Sequence, residues 1–306
     1  MVAPSGEQYE IEGRGYRAVV TECGGGLREL EYGGRPLVAG YGVDRVAPAG
    51  SGQLLLPWPN RVQDGTYEFG GRAHQLALSE PARNNAIHGL TRWVSWTLEE
   101  QTPASVSLVC RLMAQKGYPW TVDLHVIYDL SADGLTVTLT ATNLSDEPAP
   151  FAQGAHPYLC LGEAGVDGWE LTLPAATWVT VDDRMIPAGR EDVAGTDYDF
   201  REPRQLRGVT LDTAFTGLSR GADGRAEVRL GDPVSDRRVA LWMDRAHSWV
   251  QVYTGDDLGA RARRALAVEP MTAPPNAFRT GEDLVVLAAA GSAGDEHSSS
   301  WGIRTL

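Results

Sequence analysis

Leu135, Val137, Leu139 and Ala141 alternate with Thr136, Thr138, Thr140 and Thr142, a period of two that puts the apolar set on one face of an extended chain. Just upstream, Val122, Leu124, Val126 and Tyr128 alternate with Thr121, Asp123 and His125. Ala132-Asp133-Gly134 supplies turn residues between the two runs, so together they predict a β-hairpin. Similar short runs predict strands at Gln8–Ile11, Tyr16–Thr21, Val94–Leu98, Ser105–Leu112, Glu170–Leu173, Ala226–Leu230, Val239–Met243 and Trp249–Tyr253. No segment carries the period of a helix of ordinary length. Many short strands without intervening helices predict an all-β protein of packed antiparallel sheets, whose concave face or loop ends hold a ligand.

Composition supports that pattern. With 35 Gly and 18 Pro in 306 residues, the chain is punctuated at intervals too short for long helices. Gly/Ser/Pro-rich stretches such as Ala288 to Ser300 read as loops rather than linkers, so residues 1–306 are expected to form one domain. A net charge of −13 leaves no basic footprint for a nucleic acid or an anionic membrane. No apolar run approaches the ~18 residues that cross a bilayer. Residues 1–7 lack the basic flank and apolar stretch of a secretory signal, so a cytoplasmic protein is expected.

Several chemistries drop out. Cys23, Cys110 and Cys160 form no C-x-x-C pair for zinc or redox work and read as buried free thiols. Lys116, in a turn-like stretch, is the only lysine, so Schiff-base chemistry has a single poor candidate and the P-loop pattern is absent. Gly217-Leu218-Ser219-Arg220-Gly221 matches the nucleophile-elbow pattern, but turn residues follow it where a helix is required. Gly13-Arg14-Gly15 imitates a dinucleotide fingerprint, yet the β-branched run Val19-Val20-Thr21 predicts a second strand there.

Four polar segments stand out against this background: Leu56-Pro57-Trp58-Pro59-Asn60-Arg61-Val62, Asn84-Asn85-Ala86-Ile87-His88-Gly89, Gln153-Gly154-Ala155-His156-Pro157-Tyr158-Leu159 and Ala267-Val268-Glu269-Pro270-Met271. His156 and Glu269 each precede proline, whose ring disfavours helical backbone at the preceding residue, so both side chains are aimed from extended chain. Taken singly, a His-Pro or Glu-Pro pair is more often an ordinary turn. The joint pattern carries the weight.

In order along the chain, Asn60-Arg61, His88-Gly89, His156-Pro157-Tyr158, Leu211-Asp212, Gln251-Val252-Tyr253-Thr254 and Glu269 resemble the aldose 1-epimerase (galactose mutarotase) family. The resemblance spans nearly the whole chain. It implies a large twisted antiparallel β-sandwich with a sugar site on its concave face, mutarotase activity, and neither metal nor organic cofactor. Position by position it implies that Glu269 is the general base and His156 the general acid. Arg61, His88, Asp212 and Asn60 would contact the sugar, with Gln251 a weaker candidate for the wall. The expected partner is a small-molecule aldose, taken up by a monomer or homodimer. Leu90 after Gly89 and Pro-Met after Glu269 depart from the family pattern and mark a divergent subgroup.

Those groups suit the chemistry. Opening a cyclic hemiacetal requires removal of the anomeric hydroxyl proton and protonation of the ring oxygen, tasks for a carboxylate and an imidazolium. A free histidine titrates near ~6.5, so a neighbouring negative charge, from Asp212 or Glu269, is expected to keep His156 protonated. Two rivals remain. Arg261-Ala262-Arg263-Arg264, just before Glu269, suggests a hexose-phosphate mutarotase, and the same fold also admits a non-catalytic carbohydrate-binding module.

Overall fold

The alternating runs assemble into two large antiparallel sheets in the computed structural model, which describes residues 2–162 and 165–306. The first has nine strands, in the spatial order Thr97–Gln101, Ser105–Leu112, Val122–Ser131, Gly134–Asn143, Glu296–Thr305, Arg237–Met243, Ala226–Asp232, Glu170–Thr172 and Arg204–Gln205. Its nucleus is the predicted hairpin. Ser131 pairs with Gly134 around a two-residue turn, and Leu135, Val137, Leu139 and Ala141 are all buried, whereas the intervening threonines are partly exposed.

The second sheet has eight strands. Its path runs Pro187–Asp192, Thr177–Val181, Asp212–Thr216, Trp249–Tyr253, Leu266–Met271, Gly154–Ala155 and Leu54–Leu55, and Tyr158–Leu159 also pairs with Leu266–Met271. Val250, Val252, Leu266 and Val268 join the apolar cluster that also holds Val137, Leu139 and Leu241 of the first sheet, which makes the pair of sheets a β-sandwich. A smaller sheet, Gln8–Gly13, Tyr16–Thr21, Leu27–Tyr32 and Arg35–Pro36, is tied to the first by the Tyr128 hydroxyl, which donates to the Gly25 carbonyl at 2.6 Å. Among the described residues the α-helical content is the single turn Ala277–Thr280, and no helix is long and apolar enough to cross a membrane.

Three sequence expectations need correction. The strand expected at Val94–Leu98 begins at Thr97, because the Val94 carbonyl and the Trp96 amide bond instead to Gly24 and Glu22, which buries the Trp96 ring. The supposed loop Ala288–Ser300 ends in the strand Glu296–Thr305, whose serines bond to threonines of the neighbouring strand: Thr138 Oγ1 to Ser300 Oγ at 2.9 Å and Thr140 Oγ1 to Ser298 Oγ at 3.1 Å. Such hydroxyl pairing has no signature in hydropathy. Of the three unpaired cysteines only Cys160 is buried, and Cys23 and Cys110 are half-buried.

The two faces of the hairpin differ accordingly in energetic weight. Leu139→Ala is expected to lower the unfolding free energy by about 2–5 kcal/mol, and Thr140→Ala by about 1 kcal/mol or less. Urea denaturation measures both, and equal losses would show that the register is wrong.

Candidate active site

Strand alternation sends Val250, Val252, Leu266 and Val268 inward and therefore turns Gln251 and Glu269 to the opposite face. Gln251 is directly paired with Glu269, and Ala214 with Gln251, so Asp212 lies two residues along on the same face. Gln251 Nε2 donates to Asp212 Oδ1 at 2.6 Å. Trp249, Met271, Val179 and Ala214 form a small apolar cluster beside these polar groups.

The register of the backbone ladder places the histidine. The Val268 amide donates to the Pro157 carbonyl at 3.1 Å, and the Thr272 amide to the Gln153 carbonyl at 2.9 Å. The donor position between them falls on Pro270, which has no N–H. The register of Gly154 with Met271 and of Tyr158 with Ala267 places Ala155 opposite Pro270 and His156 opposite Glu269. His156 bonds elsewhere, donating its amide to Gln53 at 3.0 Å and accepting from the Gly52 amide at 2.9 Å. Its side chain, directly across from Glu269, shares that residue's face of the sheet. His156 Nε2 stands 3.4 Å from Glu269 Oε1, with both side chains buried.

Neighbouring rings and a glycine hold that imidazole. Tyr158 stacks on it with centroids 4.9 Å apart and planes at 23°, while His88 meets it edge-on at 5.5 Å. Gly50, at φ +77°, lies so close that a Cβ there would sit 3.0 Å from His156 Cδ2.

His88 and Asn60 both adopt left-handed backbone, at φ 60° and 53°, and grip each other. The His88 amide donates to the Asn60 carbonyl at 2.9 Å, and the Asn60 amide donates to His88 Nδ1 at 3.1 Å. An accepting Nδ1 assigns the proton of the neutral ring to Nε2, a donor for a ligand hydroxyl. Gly89 then allows an approach no side chain permits, since a Cβ at that position would lie 1.9 Å from the Leu56 carbonyl oxygen.

Arg61 enters through the short strand pair Arg61–Gln63 and Asn85–Ile87. Its guanidinium binds Glu80 in bidentate fashion, Nε to Oε2 at 2.9 Å and Nη2 to Oε1 at 3.0 Å, and Arg83 and Asn85 donate to the same carboxylate. Sequence reasoning missed Glu80. Glu80-Pro81 is nonetheless a Glu-Pro pair like Glu269-Pro270, and that signal was available.

These groups border one cleft of about 380 Å³. Asn60, Arg61, His88, His156, Asp212 and Glu269 all line it. Gln251 does not; it lies behind the wall as the support of Asp212. Tyr253, from the block Gln251-Val252-Tyr253-Thr254, also lines it, as do Arg92, Trp93 and Asp257, which carry no sequence pattern of their own. Trp58 and Trp249 are buried in apolar clusters, whereas Trp93 stands on the cleft, 54% exposed. Of the basic run at 261–264, Arg263 is bound to Asp167 and Asp256 at 2.8 Å each, and none of its arginines lines the cleft.

Burial dominates the electrostatics. It pushes His156 down to about 3, with Arg92 adding to the effect. It pushes Glu269 well above the ordinary carboxylate range, with Asp212 reinforcing and Arg61 opposing. Burial likewise raises Asp212 against the opposing pull of Arg61 and Gln251, and lowers His88 well below its usual value with help from His156, Arg92 and Arg61. The expectation that a carboxylate keeps His156 protonated is therefore not met by the protein groups alone. The pair favours one shared proton, resting on Glu269. The ligating atoms of His88, His156 and Glu269 lie within 4.8 Å of one another, a donor set that also suits a divalent ion.

Comparison with known proteins bears on the family and the fold. The family model for aldose 1-epimerases matches residues 7–298. The chain is 35% identical to the uncharacterized protein YihR of Escherichia coli over 284 residues, covering 92% of this chain and 89% of that one. It is 29% identical to human galactose mutarotase over 212 residues, 65% of this chain and 60% of that one. Among solved structures, a GalM/aldose epimerase homologue from C. elegans superposes with a TM-score of 0.87 at 22% identity, covering 98% of both chains. A putative aldose 1-epimerase from Escherichia coli gives 0.84 at 22% identity, covering 98% of this chain and 99% of that one. At such identities the structural likeness speaks for the fold.

The Arg61–Glu80 pair yields a stability prediction. Arg61 has only 8% of its side chain exposed, so Glu80→Gln should lower the unfolding free energy at pH 7 by about 3 kcal/mol. Although burial alone raises the Glu80 carboxyl, Arg61, Asn85 and Arg83 outweigh it and hold it below the usual 4.5. A depressed folded-state value gives stability that is present above 4.5 and lost as pH falls through the lower folded value. The gap between wild type and variant in urea melts should therefore close in acid, and a gap that persists there would sink the assignment.

Proposed function

The chain belongs to the aldose 1-epimerase family, and on that premise we propose that it interconverts the α and β anomers of an aldohexose by general acid–base ring opening and reclosure. The observation that carries this reading is the 3.4 Å approach of His156 Nε2 to Glu269 Oε1 in the wall of one cleft. The resting pair shares one proton. Moving it from Glu269 to Nε2 gives an imidazolium and a carboxylate, and a hemiacetal stabilises that form by donating its anomeric hydroxyl to Glu269 and accepting at the ring oxygen from His156.

Glu269 then takes the anomeric proton, the bond from C1 to the ring oxygen breaks as the C1 carbonyl forms, and His156 protonates the departing oxygen. Rotation about C1–C2 presents the other carbonyl face, and reclosure returns both protons by the reverse steps. Asp212 accepts from a ring hydroxyl, supported by Gln251, while the Nε2 proton of His88, the guanidinium of Arg61 and the side-chain NH2 of Asn60 fix the remaining hydroxyls. The substrate is a small-molecule sugar, and the pair does its work without a further group.

Two tests follow. Glu269→Gln and His156→Asn are each expected to lower kcat by ~10²- to 10⁴-fold while sugar still binds, measured by polarimetry on freshly dissolved α-anomers of a panel of aldoses. Wild type no faster than buffer on every sugar, with binding intact, would leave only a binding module. In the second, the wild-type kcat/KM should hold through the pH range where a solvated histidine titrates and fall only toward about 3, where the buried pair takes a second proton. A loss centred near 6.5 would show that His156 titrates as an exposed imidazole.

A further inference from the structure

Three guanidiniums line the cleft, from Arg61, Arg83 and Arg92. Arg61 and Arg83 are bound to Glu80. Arg92 has no carboxylate partner among the described residues. Its side chain makes one 3.4 Å contact, from Nη2 to the Ile87 carbonyl, and its Nε is buried with no hydrogen-bond partner. Its guanidinium carbon stands 5.6 Å from the ring centroid of the exposed Trp93. The residue is not loosely placed, because its carbonyl accepts from Gln53 Nε2 at 2.9 Å and thereby fixes the base of the side chain.

A cation placed there conflicts with the chemistry proposed above. Arg92 acts on both histidines and disfavours the imidazolium that His156 must become. A neutral sugar leaves that opposition in place, whereas a negative charge brought by the substrate cancels it. Position follows from connectivity. His156 serves the ring oxygen, the ring oxygen is bonded to C5, and C5 bears C6, so a substituent on C6 lies on the His156 side of the cleft, where Arg92 waits. A guanidinium that lines the cleft without a carboxylate partner among the described residues suits an oxyanion.

We propose that Arg92 forms a subsite for an oxyanion carried on C6 of the hexose, so that the preferred substrate is an acidic sugar rather than a neutral one. This rests on the mutarotase reading and deepens it. It also relocates the basic feature: the arginine concerned is Arg92, remote in sequence from the run at 261–264. The acidic sugar takes part in its own turnover, since its charge offsets Arg92 and favours proton transfer to His156.

NMR exchange spectroscopy on glucose, glucose 6-phosphate, glucose 6-sulfate and glucuronate provides the test. Wild type is expected to favour at least one of the three acidic sugars over glucose by about tenfold or more in kcat/KM, and a preference for any of them supports the subsite. Arg92→Gln should collapse that ratio toward unity, and Arg92→Lys should restore part of it, with thermal melts confirming that both variants fold. Equal or better turnover of glucose by wild type would overturn the subsite while leaving the mutarotase reading intact. A uniform loss on all four sugars in Arg92→Gln would likewise overturn it, because Arg92 would then be positioning the histidines. Failure to accelerate any sugar would overturn the mutarotase reading itself.

Discussion

Placing an imidazole and a carboxylate side by side out of water is costly unless the backbone around them is already satisfied. Here the backbone arrangement comes first. The register of Gly154 with Met271 and of Tyr158 with Ala267 sets His156 directly opposite Glu269, while the amide and carbonyl of His156 are engaged on its other side by Gln53 and Gly52. The histidine side chain therefore meets a carboxylate that alternation has turned the same way. The mechanism depends on this direct opposition of His156 and Glu269 across two neighbouring strands.

Around that pair the cleft separates its charges into compartments. Glu80 gathers Arg61, Arg83 and Asn85 into one fixed unit, so Arg61 presents its remaining donors from a rigid mount. Gln251 does the same for Asp212 from behind the wall. His88 is locked by the reciprocal bonds with Asn60 and by the close passage of Gly89 over Leu56. Each group that faces the cleft is thus held by another that does not react, which keeps the reacting atoms in register without reorganisation during turnover. Arg92 is the exception, anchored at its backbone and uncommitted at its charged end.

Much of this was legible in the chain. The Leu/Thr alternation of 135–142 gave the hairpin at the centre of the larger sheet, because a period of two has no other stable home than a half-buried strand. His156 and Glu269 were singled out by the prolines that follow them, and the structure shows both on extended chain beside one cleft. The same reasoning, carried one step further, reaches Glu80 before Pro81. The serines of 298–300 and the tryptophan at 96 were misread, since the strand pairing of the former and the anchoring of the latter depend on residues more than 70 positions away.

Local pattern, then, determined by itself the central hairpin, most strands of the larger sheet and which face of each is apolar, because these follow from steric and hydrophobic periodicity within a few residues. Only the tertiary structure decided which charges meet. Arg61 is claimed by Glu80, Arg263 by Asp167 and Asp256, and Arg92 by no carboxylate among the described residues. Proton affinity was decided there too: the sequence led one to expect a charged His156, and burial reversed that expectation, since desolvation depends on everything packed around a group and on nothing that its neighbours along the chain can report.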